Sequence, residues 1–169
     1  MSEPRIVTEQ QLKPVLDVLA RLEWPIPFKQ APSIIMQVGW QFLTTNVARS
    51  NLPVSLRTTS VLDLDGDLSS VEFRVSDTVK ADDKAGRQVL AEAFPKMSAI
   101  VTDCLGFPPT GELWGHPGLK WDLPSGGRVN LPAGLSALQV QIWSNRLADI
   151  ERVQVSHGVD PEHDLDDVA

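Results

Sequence analysis

The chain has no tyrosine, one cysteine, and no apolar run long enough to cross a bilayer. Each scarcity excludes something. Cys104 alone cannot form an internal disulfide, and a chain of 169 residues can bury roughly 70% of its unfolded surface in a single core, so neither crosslink nor metal is required for stability. Basic residues are outnumbered, 15 Lys+Arg against 22 Asp+Glu, for a net charge of -7. Phosphate backbones and anionic membrane surfaces are therefore unfavourable partners, and no nucleic-acid or membrane role is expected. The stretch Met1–Val7 carries one basic residue and no apolar segment of the kind a secretory signal needs, so the expected compartment is the cytoplasm.

The strong chemical signatures are also missing. There is no Gly-x-Gly-x-x-Gly, no phosphate-binding Gly-rich loop ending in Lys-Ser/Thr, no Gly-x-Ser-x-Gly elbow and no His-Glu-x-x-His. No catalytic, cofactor-binding or metal-ligating residue is assigned, and the expected function is not enzymatic. His116 lies in a Trp-Gly-His-Pro-Gly loop, while His157 and His163 lie near the C-terminus at a spacing that suits no zinc hairpin.

What is present reads as one α+β domain over residues 1–156, followed by an acidic tail, 157–169, expected to be mobile or loosely docked. Asp160, Glu162, Asp164, Asp166 and Asp167 fall in that tail with no Lys or Arg among them, and the remainder of the chain is close to neutral. Thr8 and Gln11 form a capping box ahead of Leu12, Val15, Leu19 and Leu22, which predicts a first helix to about Glu23. Trp24-Pro-Ile-Pro-Phe28 must be extended, because each proline biases its predecessor away from the helical region. Pro32, Ile34, Ile35, Val38 and Gly39 suggest a second, short helix, with a strand starting at Trp40.

Alternation over Val54–Leu62 and Val71–Val75, with Asp65-Gly66 between, predicts a hairpin. From Thr78 to Leu105 the period is helical, with Asp77 as the expected N-cap, Pro95 as an expected kink and Gly106 as the stop. A second hairpin turns at Ser125-Gly-Gly127. Leu138, Val140 and Ile142 form one more strand, and Arg146–Val153 a last short helix. The expected architecture is an antiparallel sheet of five to six strands with helices packed mainly on one face, in the order α-α-β-β-β-α-β-β-β-α.

Asp63-x-Asp65-Gly66-Asp67 fails as a calcium loop: position six is Leu68 where glycine is needed, and position twelve is Arg74 where a bidentate Glu is needed. It reads either as a solvated hairpin tip or as an acidic finger for a basic pocket on another protein. Cys104, near a helix C-terminus, is expected to be packed and unreactive. Asp82 and Asp83 complement the dipole of the long helix. Of five tryptophans, Trp40, Trp121 and Trp143 sit on strand-like segments and read as core or sheet-face residues. Trp24 and Trp114 sit in Pro/Gly-flanked loops, where a large rigid aromatic is either a plug or an anchor for a protein partner.

Four short pieces carry a resemblance that covers about residues 8–160: Val38-Gly39-Trp40, Asp65-Gly66, Lys120-Trp121-Asp122-Leu123 ahead of a Gly-Gly turn, and Ala148-Asp149-Ile150-Glu151-Arg152. With them the chain resembles a family of small actinobacterial proteins of unknown function, similar to immunity proteins such as the immunity factor of the mycobacterial necrotizing toxin, an NAD glycohydrolase. Its element order also resembles that of type III secretion chaperones. None of the pieces is a chemical signature, and no functional residue is carried over.

The resemblance implies a non-enzymatic immunity protein that binds a cognate toxin and blocks its active site. The partner-binding candidates are Trp24, Asp63, Asp65, Asp67, Trp114 and His116. A toxin that binds NAD offers a groove of positive potential, which a neutral body with acidic loops can fill by electrostatic complementarity. The alternative is a chaperone-like homodimer that holds a secretion substrate. A third reading, an enzyme using Glu112, Asp122 and His116, has no spacing that fixes two groups together.

Overall fold

The structure is a computed structural model that describes residues 3–158. Eight strands form one antiparallel sheet in the order β1-β2-β3-β4-β8-β7-β6-β5. They are β1 (Gln41–Phe42), β2 (Val47–Arg49), β3 (Thr58–Leu64), β4 (Asp67–Arg74), β5 (Gly111–Glu112), β6 (Gly118–Asp122), β7 (Arg128–Pro132) and β8 (Gln139–Trp143). The four helices are α1 (Glu9–Leu19), α2 (Ala31–Gln37), α3 (Lys84–Leu105) and α4 (Asn145–Ser156), with one 3₁₀ turn at Phe28–Gln30. The class is α+β, but the expected five to six strands are corrected to eight. The additions, β2 and β5, have three and two residues, too few to display a period of two.

Several expected boundaries move for local reasons. Thr8 and Gln11 make the reciprocal capping box of α1, but that helix stops at Leu19 and not near Glu23. The long helix begins at Lys84, capped by Asp83 through a 2.9 Å bond from the Gly86 amide, and not at Thr78 behind Asp77. Asp77 is engaged elsewhere, accepting from the Arg5 and Ser55 amides at 2.8 Å each. Val54 is buried in a loop, and β3 starts only at Thr58. The helix continues through Pro95 to the left-handed Gly106.

Asp65 and Gly66, with φ of 52° and 87°, form the two-residue turn of the β3–β4 hairpin, which demands positive φ at both positions. The register shifts at Leu62/Asp63. Residues 26–28 lie along the end of β4: the Leu68 amide donates to the Ile26 carbonyl and the Phe28 amide to the Gly66 carbonyl.

Because side chains alternate across a strand, the register defines two faces. Val61, Val71, Ile142 and Val129 stand opposite one another across four adjacent strands, with Trp121 next to Val129, and all are fully buried. Onto this face pack Leu12, Leu16 and Leu19 of α1, Ile35 of α2 and Leu90, Met97 and Val101 of α3. Trp121 donates its indole N–H to Thr102 on α3, and Trp40 meets Phe73 edge to face at 5.2 Å. Helix α4 lies on the opposite face, where it buries Ala148 and meets Arg128.

Candidate functional site

The second face of the sheet is polar. Ser60, Glu72, Gln141, Asn130 and Lys120 form one row across β3, β4, β8, β7 and β6. On one side of it a parallel row carries Arg49, Thr58, Arg74 and Gln139. On the other runs Leu62, Ser70, Trp143, Arg128 and Asp122, which α4 partly covers.

Under α4 the charges are paired. Arg128 is 1% exposed; it reaches Glu151 at 2.7 Å and Asp122 at 3.2 Å, with its guanidinium 5.6 Å from the Trp143 ring centre. Arg152 bridges Asp122 at 2.9 Å and Asp149 at 2.7 Å and donates to the Gly126 carbonyl. Burial pushes the Asp122 carboxyl up, but hydrogen bonds from Arg152 and Thr110 and the charge of Arg128 outweigh it and hold it below its ordinary value. Glu72 has no such help. Burial raises its carboxyl, and among the described residues no side chain pairs with it. In the same row Asn130 donates to Gln141, while its own buried carbonyl oxygen has no hydrogen-bond partner among the described residues.

A cleft of about 400 Å³ opens between the end of α4 and the β5–β6 loop, lined by Glu112, Trp114, Lys120, Arg128, Glu151 and Arg152 among others. Its one hydroxyl, Ser156, donates to the Val153 carbonyl at 2.8 Å, and among the described residues no group of three or more His, Cys, Asp or Glu could hold a metal ion. The arrangement is suited to recognition by charge and stacking.

The six candidates from the sequence do not converge. Trp114 lines the cleft, half-buried, while His116 is exposed on the far side of the same loop, beside Phe94 and Leu119. Trp24 is a plug: its indole lies against Gly127, where an added Cβ would come within 2.6 Å of Nε1, and it packs on the core. Asp63 is exposed. Asp65 pairs with Arg146 of α4 at 2.5 Å, and Asp67 opens β4 opposite Pro27. The tip thus contacts α4 and the 26–28 segment, while the Asp63 and Asp65 side chains remain exposed. Asp122, considered for chemistry, is held by two arginines, and Glu112 lines the cleft.

The residues missed are Glu72, Lys120, Arg128, Glu151 and Arg152. Alternation of Lys120, Asp122, Arg128 and Asn130 with the apolar Trp121, Val129 and Leu131 marks which side of the second hairpin is polar. No local signal announces that Arg128 is buried. The tail beyond Gly158, expected to be mobile or loosely docked, lies outside the described residues, and among those described no helix is long and apolar enough to cross a membrane.

No curated protein and no solved structure matches the chain. Residues 10–155 match a family of unknown function, DUF6301, and the chain belongs to that family.

Proposed function

We propose that this protein acts by binding another protein, as a non-enzymatic immunity protein that blocks a toxin's active site, with the polar sheet face and the Trp114 cleft as its contact surface. The observation that carries the reading is the division of the sheet: one face is closed by α1–α3, and the other presents Ser60, Glu72, Gln141 and Lys120 at its surface, with Asn130 buried among them and a half-buried tryptophan at the rim. A broad polar surface with one rigid aromatic anchor favours a macromolecular partner over a small substrate. That the partner is a toxin, of the NAD glycohydrolase kind, rests on the resemblance alone.

The experiment is capture of partners by the tagged protein from its native cytoplasm, followed by a test of whether the captured protein is toxic by itself and inhibited at one-to-one stoichiometry. Trp114→Ala is expected to weaken such a complex at least about tenfold, as loss of an aromatic anchor does. Full inhibition by that variant places the interface elsewhere; absence of any toxic partner removes the immunity reading.

A further inference from the structure

The open part of the polar face carries a charge opposite to that of the whole protein. Arg49 and Arg74 stand in one row, two strands apart, and Lys120 ends the neighbouring row. Arg49 is exposed, while Arg74 and Lys120 are half-buried. Among the described residues the ion pairs of this side of the sheet belong to the α4 cluster and to Arg146. Among the described residues Arg49, Arg74 and Lys120 are in none. The one carboxylate in these two rows is Glu72, disfavoured by burial in its charged form. Counting Glu112, which lines the cleft beside Lys120, the strip holds three cations against two carboxylates, one of them disfavoured by burial, a small local excess of positive charge in a chain of net charge -7.

We infer that this surface receives an acidic, extended segment of the partner protein, laid across the strands from Arg49 to Lys120. The inference rests on the protein-binding reading above and names the chemistry of the segment that docks. Five strand intervals separate β2 from β6, a span of about 24 Å, which an extended chain covers with roughly seven residues. Carboxylates on alternate residues recur about every 7 Å on one side, so those of the first, third and seventh residues fall within side-chain reach of cations set two and then three strands apart, about 10 Å and about 14 Å. Gln139, Gln141 and Ser60, between those cations, supply hydrogen bonds to its backbone. A nucleic acid also brings negative charge, but its long phosphate chain extends past three cations into the field of an acidic protein.

The test uses the full chain and octaglutamate as probe, at low salt, followed by ¹H–¹⁵N correlation spectra. Shifts are expected on β2, β4, β8 and β6. Binding should fall at least tenfold in the triple variant Arg49→Gln, Arg74→Gln, Lys120→Gln, hold in the equally discharged control Lys29→Gln, Lys84→Gln, Lys96→Gln, and tighten in Glu72→Gln. Equal binding by the triple variant and the control overturns the proposal, as does tighter binding of octathymidylate than of octaglutamate. If wild type fails to bind the probe but a full-length variant with the five tail carboxylates amidated does, the occupant is the chain's own tail and the partner assignment falls. A toxin still inhibited by the triple variant would sink the docking surface and leave the immunity reading standing. Octaglutamate bound on this face with no toxin recovered would do the reverse.

Discussion

Glu72 is a carboxylate that the fold holds against its own preference. Burial penalises its charged form and raises its carboxyl above the ordinary value, and among the described residues no side chain pairs with it. A carboxyl raised by folding contributes stability that is present below its unfolded value and lost as pH rises through the folded one. Glu72→Gln is therefore expected to be more stable than wild type at pH 7, with the advantage shrinking below the ordinary carboxylate range; urea unfolding at pH 7 and pH 4 measures it. An unchanged midpoint at pH 7 would show that solvent reaches the carboxylate freely. Cys104 is the other residue shifted by its surroundings. Burial, reinforced by Glu9, Asp17 and Asp103, pushes its thiol to about 11. Roughly a hundred times less thiolate is then present at neutral pH than at the ordinary thiol value. A thiol reagent should react slowly in buffer and at the ordinary rate in denaturant, and fast labelling of the native protein would contradict the burial. The sequence reading expected an unreactive Cys104 from its place at a helix end, whereas in the fold the shift comes first from burial and then from the carboxylates around it. Glu72 was not, because nothing in Val71-Glu-Phe73 distinguishes a half-buried glutamate from a solvated one.

At the scale of elements, α4 depends on a buried guanidinium. Arg128 is held by Asp122 and Glu151, and Arg152 reinforces the link from the helix side. Removing one partner of a buried pair leaves the other charge desolvated, so Arg128→Ala should cost about 3–5 kcal/mol and release α4 first. Hydrogen exchange would report it as lost protection over residues 145–156, with β3 and β4 little changed; uniform loss would show that α4 is integral to the core. Asp122 adds a pH dependence. Its carboxyl is lowered in the fold, so its contribution is present above the unfolded value and lost as pH falls through the folded one. Docking of α4 should therefore weaken in acid. The same elements show where sequence reading works. The capping box at Thr8 and the Asp65-Gly66 turn were legible because each is a local motif whose chemistry is complete within four residues. The start of α3 was not: Asp77 and Asp83 are equally good caps, and the choice was made by Arg5 and Ser55, which claim the first.

At the scale of the whole molecule, the candidate surface exists only because β4 pairs with β8. That contact joins two hairpins separated by α3, and it alone aligns Glu72 with Gln141, Asn130 and Lys120. Sequence spacing contains no trace of such a row, which is why the candidates drawn from loops, Trp24 and the aspartates at the turn, lie apart from it. The topology also bears on the choice between an immunity protein and a chaperone-like homodimer. Its sheet edges are β1 and β5, two residues each, too short to template pairing with a second copy. Among the described residues the large apolar side chains left exposed are scattered over α2 (Met36), β3 (Leu62), the β7–β8 connection (Leu135) and loops (Leu43, Leu56), and the largest group on one element is Ile150, Val153 and Val155 of α4. An obligate dimer needs a contiguous apolar surface, commonly about 1,000 Å² or more per partner. Sedimentation of the purified chain is accordingly expected to give a monomer at micromolar concentration. A stable dimer in the absence of any partner would turn the argument toward the chaperone, since the polar face would then have to be read as the inside of a client groove shared by two copies.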